Sequence, residues 1–367
     1  MNERVCVVYH DMLTAYGHGV SCCTDALFKR QTNFTQSEYF AEGTDSSTRV
    51  AYFPQDLFAS RNNIAESAVM YLLNNIPKIF SVSDLPFFFA LTQGEICKLE
   101  NAQGSWTASL LVRKVAEQVA INEKSRIFSA SCASGNVALA RAAAEIASGK
   151  MEQIWVVGCE TVSEFTFSGF ASIHALTSDE CRPYDASHNG LLLGDAAGIM
   201  LLVSEKLAIE RNWQILATID GFGITTDSYH AAAPDPNGIQ MAVAINNALS
   251  GDITCKIAGV IGHGTGTVLN DNMEIAALNR VFPDGLPLAS IKGGTGHILA
   301  ASGIIQTSCA IDCLQKGMLF PQTSLQKAQN GAEKFVSHKS QFLHGDAILV
   351  LNAGFGGLNA VLRVGRY

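Results

Sequence analysis

The sequence has few charged residues and no long apolar run. Only 16% of its 367 residues are Asp, Glu, Lys or Arg, whereas 48% are hydrophobic, a composition typical of a globular chain with a large core. No stretch reaches the roughly eighteen uninterrupted apolar residues of a transmembrane helix. The first residues carry charges and lack the apolar segment and cleavage site of a signal peptide. We therefore expect a cytoplasmic protein without a membrane span.

Basic residues are also scarce, and this argues against one class of partner. The 33 acidic residues outnumber the 25 basic ones, so the formal net charge is -8. A protein that binds nucleic acid chiefly through its phosphates needs a basic face. We therefore expect no nucleic-acid partner.

The ten cysteines are scattered along the chain and form no CxxC pair of the kind that binds zinc. Most of them are expected to be small core residues in a reducing compartment, and we predict no metal site. The sequence also lacks low-complexity tracts, charge blocks and linkers, so it shows no clean domain boundary.

What the sequence does contain is an alternation of apolar runs with segments of helical spacing. The predicted strands lie at residues 4–8, 85–93, 127–131, 154–159, 197–204, 215–221 and 256–261, with two more at the end of the chain. The predicted helices lie at residues 23–30, 61–78, 105–120, 238–249 and 271–281, with another that ends at Gly149. Such alternation is typical of an α/β architecture with buried sheets.

One strand-turn-helix segment places a cysteine at its turn. The apolar run 127–131 leads into the small residues 131–135, and an alanine-rich helix follows. Cys132 would then lie near free backbone N–H groups at the positive end of a helix dipole, which favours the nucleophilic thiolate over the thiol. The same pattern also fits a small buried cysteine without a chemical role.

Two histidines stand in loops rich in glycine and threonine, each after a predicted strand. His263 lies in IGHGTGTVLNDNMEI and His297 in IKGGTGHILAASG. One histidine beside glycine is usually structural, but two neutral imidazoles in such loops can donate hydrogen bonds to a developing oxyanion. Lys292 and Glu274 would need each other if both were buried. The GFGG turn at residues 354–357 could present backbone N–H groups to a carbonyl oxygen.

Together these segments resemble the β-ketoacyl synthases of the thiolase fold. The motifs SASCASG, HGTGTxxNDxxE, KxxTGH and GFGG follow one another in the family's order and spacing, and residues 181–203 and 227–238 resemble further family segments. The resemblance covers nearly the whole chain. It implies two pseudo-symmetric βαβαβαββ halves, residues 1–208 and 209–367, in a five-layered αβαβα core. It also implies a dimer, either with a second copy or with a related ketosynthase subunit.

The resemblance further implies a decarboxylating Claisen condensation. An acyl chain would pass from the phosphopantetheine arm of an acyl carrier protein to Cys132. The backbone N–H groups of Cys132 and Phe355 would form the oxyanion hole. Malonyl carrier protein would then lose carbon dioxide, and His263 and His297 would stabilise the resulting enolate.

The remaining implied roles belong to supporting residues. Lys292 and Glu274 resemble an ion pair that holds the loops of the two histidines. Phe355 resembles a side chain that gates acyl access, although it also fits a plain core aromatic. No bound cofactor is implied, because the substrates arrive on the arm of the carrier protein.

The chain departs from the family pattern in several places. The segment 62–125 is short, which leaves the depth of the acyl pocket open. The substituted positions are Tyr9, His10 and Asp11 for the usual Thr-Gly, His188 and Asn189 for an Arg-Asp pair, and Ala353 and Leu358 for the Phe and Thr around GFGG. The loss of the arginine weakens one basic position that could face an acidic carrier protein.

Three functions fit these observations. The leading prediction is an elongating ketosynthase of type II fatty-acid or polyketide biosynthesis, because the nucleophile and both histidines are present. The alternative is the chain-length-determining partner of a heterodimeric ketosynthase; such partners typically replace the nucleophile, so Cys132 argues against this role. A third possibility is a thiolase-fold enzyme that only transfers or hydrolyses acyl groups, but the two histidines favour malonyl decarboxylation.

Overall fold

The computed structural model describes residues 3–36, 49–58, 60–101, 106–250 and 255–367. In these ranges the strands are β1 (Val5–Thr14), β2 (Gly17–His18), β3 (Thr35–Gln36), β4 (Arg49–Ala51), β5 (Phe87–Ala90), β6 (Arg126–Phe128), β7 (Gln153–Glu160), β8 (Leu193–Gly194), β9 (Ala196–Ser204), β10 (Ala217–Thr226), β11 (Ile257–Ile261), β12 (Leu288–Ala289), β13 (Met318–Leu319), β14 (Gln341–Phe342), β15 (Ala347–Gly354) and β16 (Leu358–Gly365). The helices are α1 (Val20–Phe28), α2 (Ile64–Asn74), α3 (Ile96–Glu100), α4 (Ala108–Gln118), α5 (Ser134–Ala147), α6 (Glu164–Ser172), α7 (Glu205–Glu210), α8 (Ile239–Leu249), α9 (Val268–Val281), α10 (Lys292–Thr295) and α11 (Ser302–Lys316).

The large sheet consists of two five-stranded halves. Its order is β12-β11-β15-β16-β10-β1-β9-β7-β5-β6, with β2 paired to β1. The halves meet where β1 and β10 pair antiparallel, through only Cys6 with Thr218 and Val7 with Ala217. Within each half, the third strand in chain order lies at the outer edge and the first lies at this seam. The two halves therefore share one strand order.

Strand side chains alternate between a central core and two outer cores, because successive residues of a strand point to opposite faces. On β9, Met200 faces the central core and Leu201 an outer one. On β15, Val350 faces the same central core and Leu351 the other outer core. This explains why these strands read as continuous apolar runs, since both of their faces are covered.

Helices α5 and α11 fill the central layer between the two halves of the sheet. Helix α2 covers the outer face of the N-terminal half, and α8 and α9 cover the outer face of the C-terminal half. The layers follow the order αβαβα, which confirms the predicted five-layered core. The division of the chain at residue 208 stays a prediction.

The two central helices cross at very short range through a pair of glycines. A Cβ atom on Gly135 would lie 2.8 Å from the backbone N of Gly303, and one on Gly303 would meet the backbone N of Asn136. Side chains at either position would overlap the other helix, so the close approach requires glycine. Because Cys132 and His297 lie just before these helices, the crossing brings the two residues together.

Some predicted boundaries differ from the observed ones. The first strand was predicted at residues 4–8, but β1 continues to Thr14 because it pairs with β9 along its whole length. The helix predicted at 61–78 starts with a 3₁₀ turn, and α2 ends at Asn74, before Pro77. Residue 105 of another predicted helix lies outside the described residues. No helix in the described part of the chain is long and apolar enough to cross a membrane.

Candidate active site

Cys132 lies at the turn between β6 and α5, as predicted. Ser131 adopts a left-handed φ of +50°. The Ser134 hydroxyl closes the turn, since it donates to the carbonyl of Ser131 at 2.6 Å and accepts the N–H of Ala130 at 2.8 Å. The Cys132 side chain is almost fully enclosed, with 7% of its surface exposed. The turn thus places a buried thiol at the start of a buried helix.

The prediction that this helix start favours the thiolate of Cys132 is wrong for the free thiol. Burial raises the pKa of Cys132 to about 12, and the carboxyl of Glu160 acts in the same direction, while the ammonium of Lys292 opposes it. Loss of solvation of the thiolate is the largest contribution to this shift. Cys132 is therefore a neutral thiol at neutral pH and needs a proton acceptor to become a nucleophile.

The loop of His263 follows β11 and is held by two carboxylates of α9. The N–H groups of His263 and Gly264 donate to the two oxygens of Glu274 at 2.6 and 2.8 Å, and the Tyr184 hydroxyl donates to one of them at 2.9 Å. Asp271 accepts the next two backbone N–H groups of the loop at 3.1 and 3.2 Å. Both carboxylates are fully buried, so the loop is firmly positioned.

The hydrogen bonds of the two imidazoles assign the same tautomer to both rings. The Lys292 ammonium lies 3.3 Å from Nδ1 of His263 and also donates to the carbonyl of His263. The N–H of Leu299 donates to Nδ1 of His297 at 3.1 Å. Because each Nδ1 accepts a hydrogen bond, each ring carries its proton on Nε2. Both rings are therefore Nε2–H donors.

Burial also sets the charge of these rings. It lowers the pKa of His263 and of His297 well below the ordinary value of histidine, and the nearby ammonium of Lys292 lowers them further. The rings lie edge to face, with centroids 5.5 Å apart and an angle of 84° between their planes. Two neutral N–H donors therefore stand side by side.

Lys292 and Glu274 support the site in a different arrangement from the predicted ion pair. Among the salt bridges of the described residues, none joins Lys292 to Glu274. Both residues instead hold the loop of His263, one through its carbonyl and ring and the other through its N–H. Burial lowers the pKa of Lys292, and the charge of Glu274 counteracts this.

The closing GFGG turn packs against the turn of Cys132. A Cβ atom on Gly354 would lie 3.1 Å from Cβ of Ser131 and 3.4 Å from the backbone N of Cys132. The Ser131 hydroxyl donates to the carbonyl of Phe355 at 3.3 Å. The Phe355 side chain is 42% exposed, which excludes a plain core aromatic. Its ring centroid lies 5.6 Å from that of Phe170.

One cavity joins these residues. Its volume is about 510 Å³, and Cys132, His263, His297 and Phe355 all line it. Lys292 and Glu274 lie behind the lining, in contact with the His263 loop. The cavity is largely apolar, with a few polar groups. Its further lining residues include Phe170, Ile173, Asn189, Leu191, Asp227, His230, Thr265, Thr267, Val268, Leu269, Ala353 and Leu358.

Three further residues of this region were not predicted from the sequence. Tyr184 and Asp271 hold the His263 loop, and Phe170 lies between the rings of Phe355 and His297, with its centroid 6.1 Å from the latter. Tyr184 and Asp271 lie inside segments that carried the family resemblance, so their position in those motifs was an available signal. Phe170 had no such signal.

At the positions that replace the family's Arg-Asp pair, His188 turns inward and Asn189 is exposed. His188 is largely buried, and its Nδ1 lies 3.6 Å from a carboxyl oxygen of Asp271. Asn189 accepts a hydrogen bond from the Thr177 hydroxyl at 2.8 Å and lines the cavity. Burial lowers the pKa of His188, so this residue does not replace an outward-facing basic side chain.

The two halves of the sheet, the paired central helices and the cavity between them define a thiolase-like fold. Comparison of the sequence with known protein families identifies the family to which the chain belongs. The profile "Beta-ketoacyl synthase, N-terminal domain" matches residues 101–208, and "Beta-ketoacyl synthase, C-terminal domain" matches residues 216–326. The chain belongs to the β-ketoacyl synthase family.

Curated relatives agree with this assignment. The chain is 31% identical over 250 residues to a 3-oxoacyl-[acyl-carrier-protein] synthase 2 of Mycobacterium leprae, and the match covers 64% of this chain and 59% of the relative. It is 29% identical over 248 residues to the protein of the same name from Coxiella burnetii, with 64% and 60% covered. The matches thus span about three fifths of each relative's length.

Solved structures share the fold over the whole chain. A β-ketoacyl synthase from Burkholderia phymatum has a TM-score of 0.84 at 23% identity, and the ishigamide ketosynthase/chain length factor has a TM-score of 0.83 at 21% identity. In both cases 100% of this chain and of the other chain is covered. At these identities the likeness shows the fold alone.

Proposed function

We propose that this protein is a β-ketoacyl-[acyl carrier protein] synthase, an acyltransferase of type II fatty-acid or polyketide biosynthesis. One observation carries the proposal: a cysteine thiol at a helix start and two neutral Nε2–H imidazoles line the same cavity. A thiol can hold an acyl group as a thioester, and paired N–H donors can stabilise an enolate oxygen. A condensation through an enolate needs both of these elements.

In the first step, the sulfur of Cys132 attacks the thioester carbonyl of an acyl group on an acyl carrier protein. The carbon–sulfur bond to the carrier arm breaks, the carrier leaves as a free thiol after taking up the proton, and the acyl group stays on Cys132. The N–H groups of Cys132 and Phe355 are the proposed donors to the tetrahedral oxyanion. The close packing of the GFGG turn on the Cys132 turn supports this pairing.

In the second step, a malonyl group on the carrier protein loses carbon dioxide, and the electrons of the broken carbon–carbon bond form an enolate. The Nε2–H groups of His263 and His297 donate to the enolate oxygen. The enolate carbon attacks the acyl carbonyl on Cys132, and the thiolate of Cys132 departs. The product is a β-ketoacyl carrier protein, two carbons longer than the acyl group.

The neutral state of both histidines suits this role. The low pKa of each buried ring keeps it neutral at neutral pH, with its proton on Nε2, where it can be donated to the enolate oxygen. We propose no resident cofactor, since the phosphopantetheine arm of the carrier brings both substrates. The proposed partners are the acyl carrier protein and a second ketosynthase subunit, either identical or related.

A second candidate is the chain-length-determining partner of a heterodimeric ketosynthase. The raised pKa of Cys132 favours it, because a protonated thiol is a weak nucleophile. The likeness to a ketosynthase/chain length factor structure is compatible with either role.

The deciding experiment is peptide-mapped mass spectrometry of the purified chain after incubation with a panel of acyl carrier protein thioesters. An acyl adduct confined to Cys132 is expected, and Cys132→Ala is the matched control because its smaller side chain preserves the fold. No adduct from the chain alone, together with an adduct on a ketosynthase that co-purifies with it, would replace the first candidate with the second.

A further inference from the structure

Two buried amide side chains connect the central helices to the strands of the C-terminal half. Asn136 lies on α5, four residues after Cys132, and Gln306 lies on α11, nine residues after His297. Both side chains are fully buried. Neither takes part in the chemical steps proposed above, so their conspicuous contacts need another explanation.

Asn136 joins the helix of Cys132 to the hairpin that carries the GFGG turn. Its Nδ2 donates to the carbonyl of Val350 on β15 at 3.0 Å and to that of Ala360 on β16 at 2.9 Å. A primary amide has two N–H donors, and both are used here. The turn that contains Phe355 connects these two strands.

Gln306 joins the helix after His297 to the loop of His263. Its Nε2 donates to the carbonyl of Gly262, the residue before His263, at 2.7 Å, and to that of Leu351 on β15 at 3.3 Å. Its Oε1 accepts a hydrogen bond from the side chain of Asn352. This one side chain thus joins α11 to β15 and to the residue that follows β11.

These bonds constrain the helices in a way that apolar packing does not. Apolar contacts set the distance between a helix and a sheet but are non-directional, whereas hydrogen bonds weaken steeply as they bend. A shift of either helix along the sheet would leave buried carbonyls unpaired, which is costly. Each amide therefore fixes the register of one central helix against the strands beneath it.

We propose that Asn136 and Gln306 are positioning residues, which hold Cys132 against the Phe355 turn and His263 against His297, respectively. This inference rests on the proposed condensation. It assigns the two amides to different steps: Asn136 serves acyl loading of Cys132, and Gln306 serves decarboxylation of the malonyl group.

The test measures the two half-reactions separately in Asn136→Leu and Gln306→Met. Acyl loading is followed by mass spectrometry of Cys132, and decarboxylation by carbon dioxide release from malonyl carrier protein. Because a misplacement of about 1 Å can cost roughly 100-fold in rate, we expect Asn136→Leu to slow loading about 100-fold and decarboxylation far less. We expect the opposite pattern for Gln306→Met.

Asn279→Leu is the matched control. Asn279 lies on the outer helix α9, and its amide also donates to two backbone carbonyls, those of Ile275 and Gly331, at 2.9 and 3.0 Å. We expect this variant to lower the thermal midpoint without separating the two half-reactions. If a primary variant does not fold, Asn136→Ser or Gln306→Glu takes its place, and the same crossed pattern is expected.

Equal loss of both half-reactions in each variant, in proportion to the unfolded fraction, would overturn the inference and leave the two amides a structural role. Wild-type protein that carries out neither half-reaction would instead overturn the proposed function on which the inference rests. The two failures are distinguished by the wild-type assay alone.

Discussion

Cys132 and the pair of histidines share one cavity, yet burial acts on them in opposite ways. It raises the pKa of the thiol to about 12, which suppresses the reactive thiolate. It lowers the pKa of both imidazoles, which keeps them as the neutral donors that the proposed enolate needs. Both effects have one cause, since a low-dielectric environment disfavours the charged form of any group.

In the free protein, the imidazoles are therefore already in the protonation state that the proposed reaction needs, whereas the thiol is not. The histidines have their tautomer, charge and orientation set by Lys292, Glu274 and Leu299 before substrate binds. The thiol of Cys132 lines the same cavity, but its raised pKa keeps it protonated at neutral pH. Under the proposed function, activation of this thiol therefore depends on loss of its proton during acyl transfer.

The largest expected effect follows His297→Ala. The variant loses one Nε2–H donor to the enolate, so we expect carbon dioxide release from malonyl carrier protein to fall about 100-fold to 1,000-fold. Acyl loading of Cys132 should persist, because the thiol and both proposed oxyanion donors remain. Carbon dioxide release at the wild-type rate would show that His297 does not stabilise the enolate.

The protonation state of the thiol is accessible by alkylation. With the pKa of Cys132 near 12, its rate of reaction with iodoacetamide should rise about tenfold per pH unit between pH 7 and 9, because only the thiolate reacts. Peptide mapping separates Cys132 from the other cysteines. A plateau in the rate below pH 9 would contradict the raised pKa and would make the thiol as well prepared as the histidines.

Lys292→Met should weaken the preparation of His263. The ammonium lowers the pKa of His263, so its removal should raise that pKa and move the acid limb of the decarboxylation profile to higher pH. Without the Lys292 donor to Nδ1, the tautomer of His263 is no longer fixed. We therefore expect the decarboxylation rate to fall about tenfold at neutral pH.

Lys316→Met is the control for this variant. Lys316 lies on α11 and binds Asp25 at 2.8 Å and Asp312 at 2.9 Å, outside the cavity lining. Its profile should match that of the wild type. A pH profile of Lys292→Met that also matches would show that Lys292 does not tune His263.

The smallest expected effect concerns stability. The pKa of His297 is lowered in the folded state, so below the unfolded value of about 6.5 the unfolded chain binds more protons and the free energy of unfolding falls. Between pH 7 and 5.5, His297 should account for a loss of about 1 kcal/mol.

Urea unfolding of wild type and His297→Gln at the two pH values measures this contribution. The difference between the proteins isolates His297 from buried carboxyl groups such as Asp271, whose raised pKa acts in the opposite direction. An identical pH dependence in both proteins would show that His297 is not held neutral by the fold.

Much of this protein follows from its sequence, because the signals are local. The apolar runs predict the strands of the sheet, and the small residues around Cys132 predict a turn before a helix. His263 and His297 are also predicted from a local signal, because each lies in a glycine-rich loop after a predicted strand. The length of β1 is the exception: Tyr9 and His10 interrupt the apolar pattern, and only pairing with β9 extends the strand to Thr14.

Only the tertiary structure decided how these local pieces act together. The crossing at Gly135 and Gly303 depends on two helices far apart in the chain. The pKa of Cys132 depends chiefly on how deeply the fold buries it. The tautomer of His263 depends on Lys292, which lies 29 residues away. Sequence determines which groups are present, whereas burial and contacts between distant segments determine their charge and geometry.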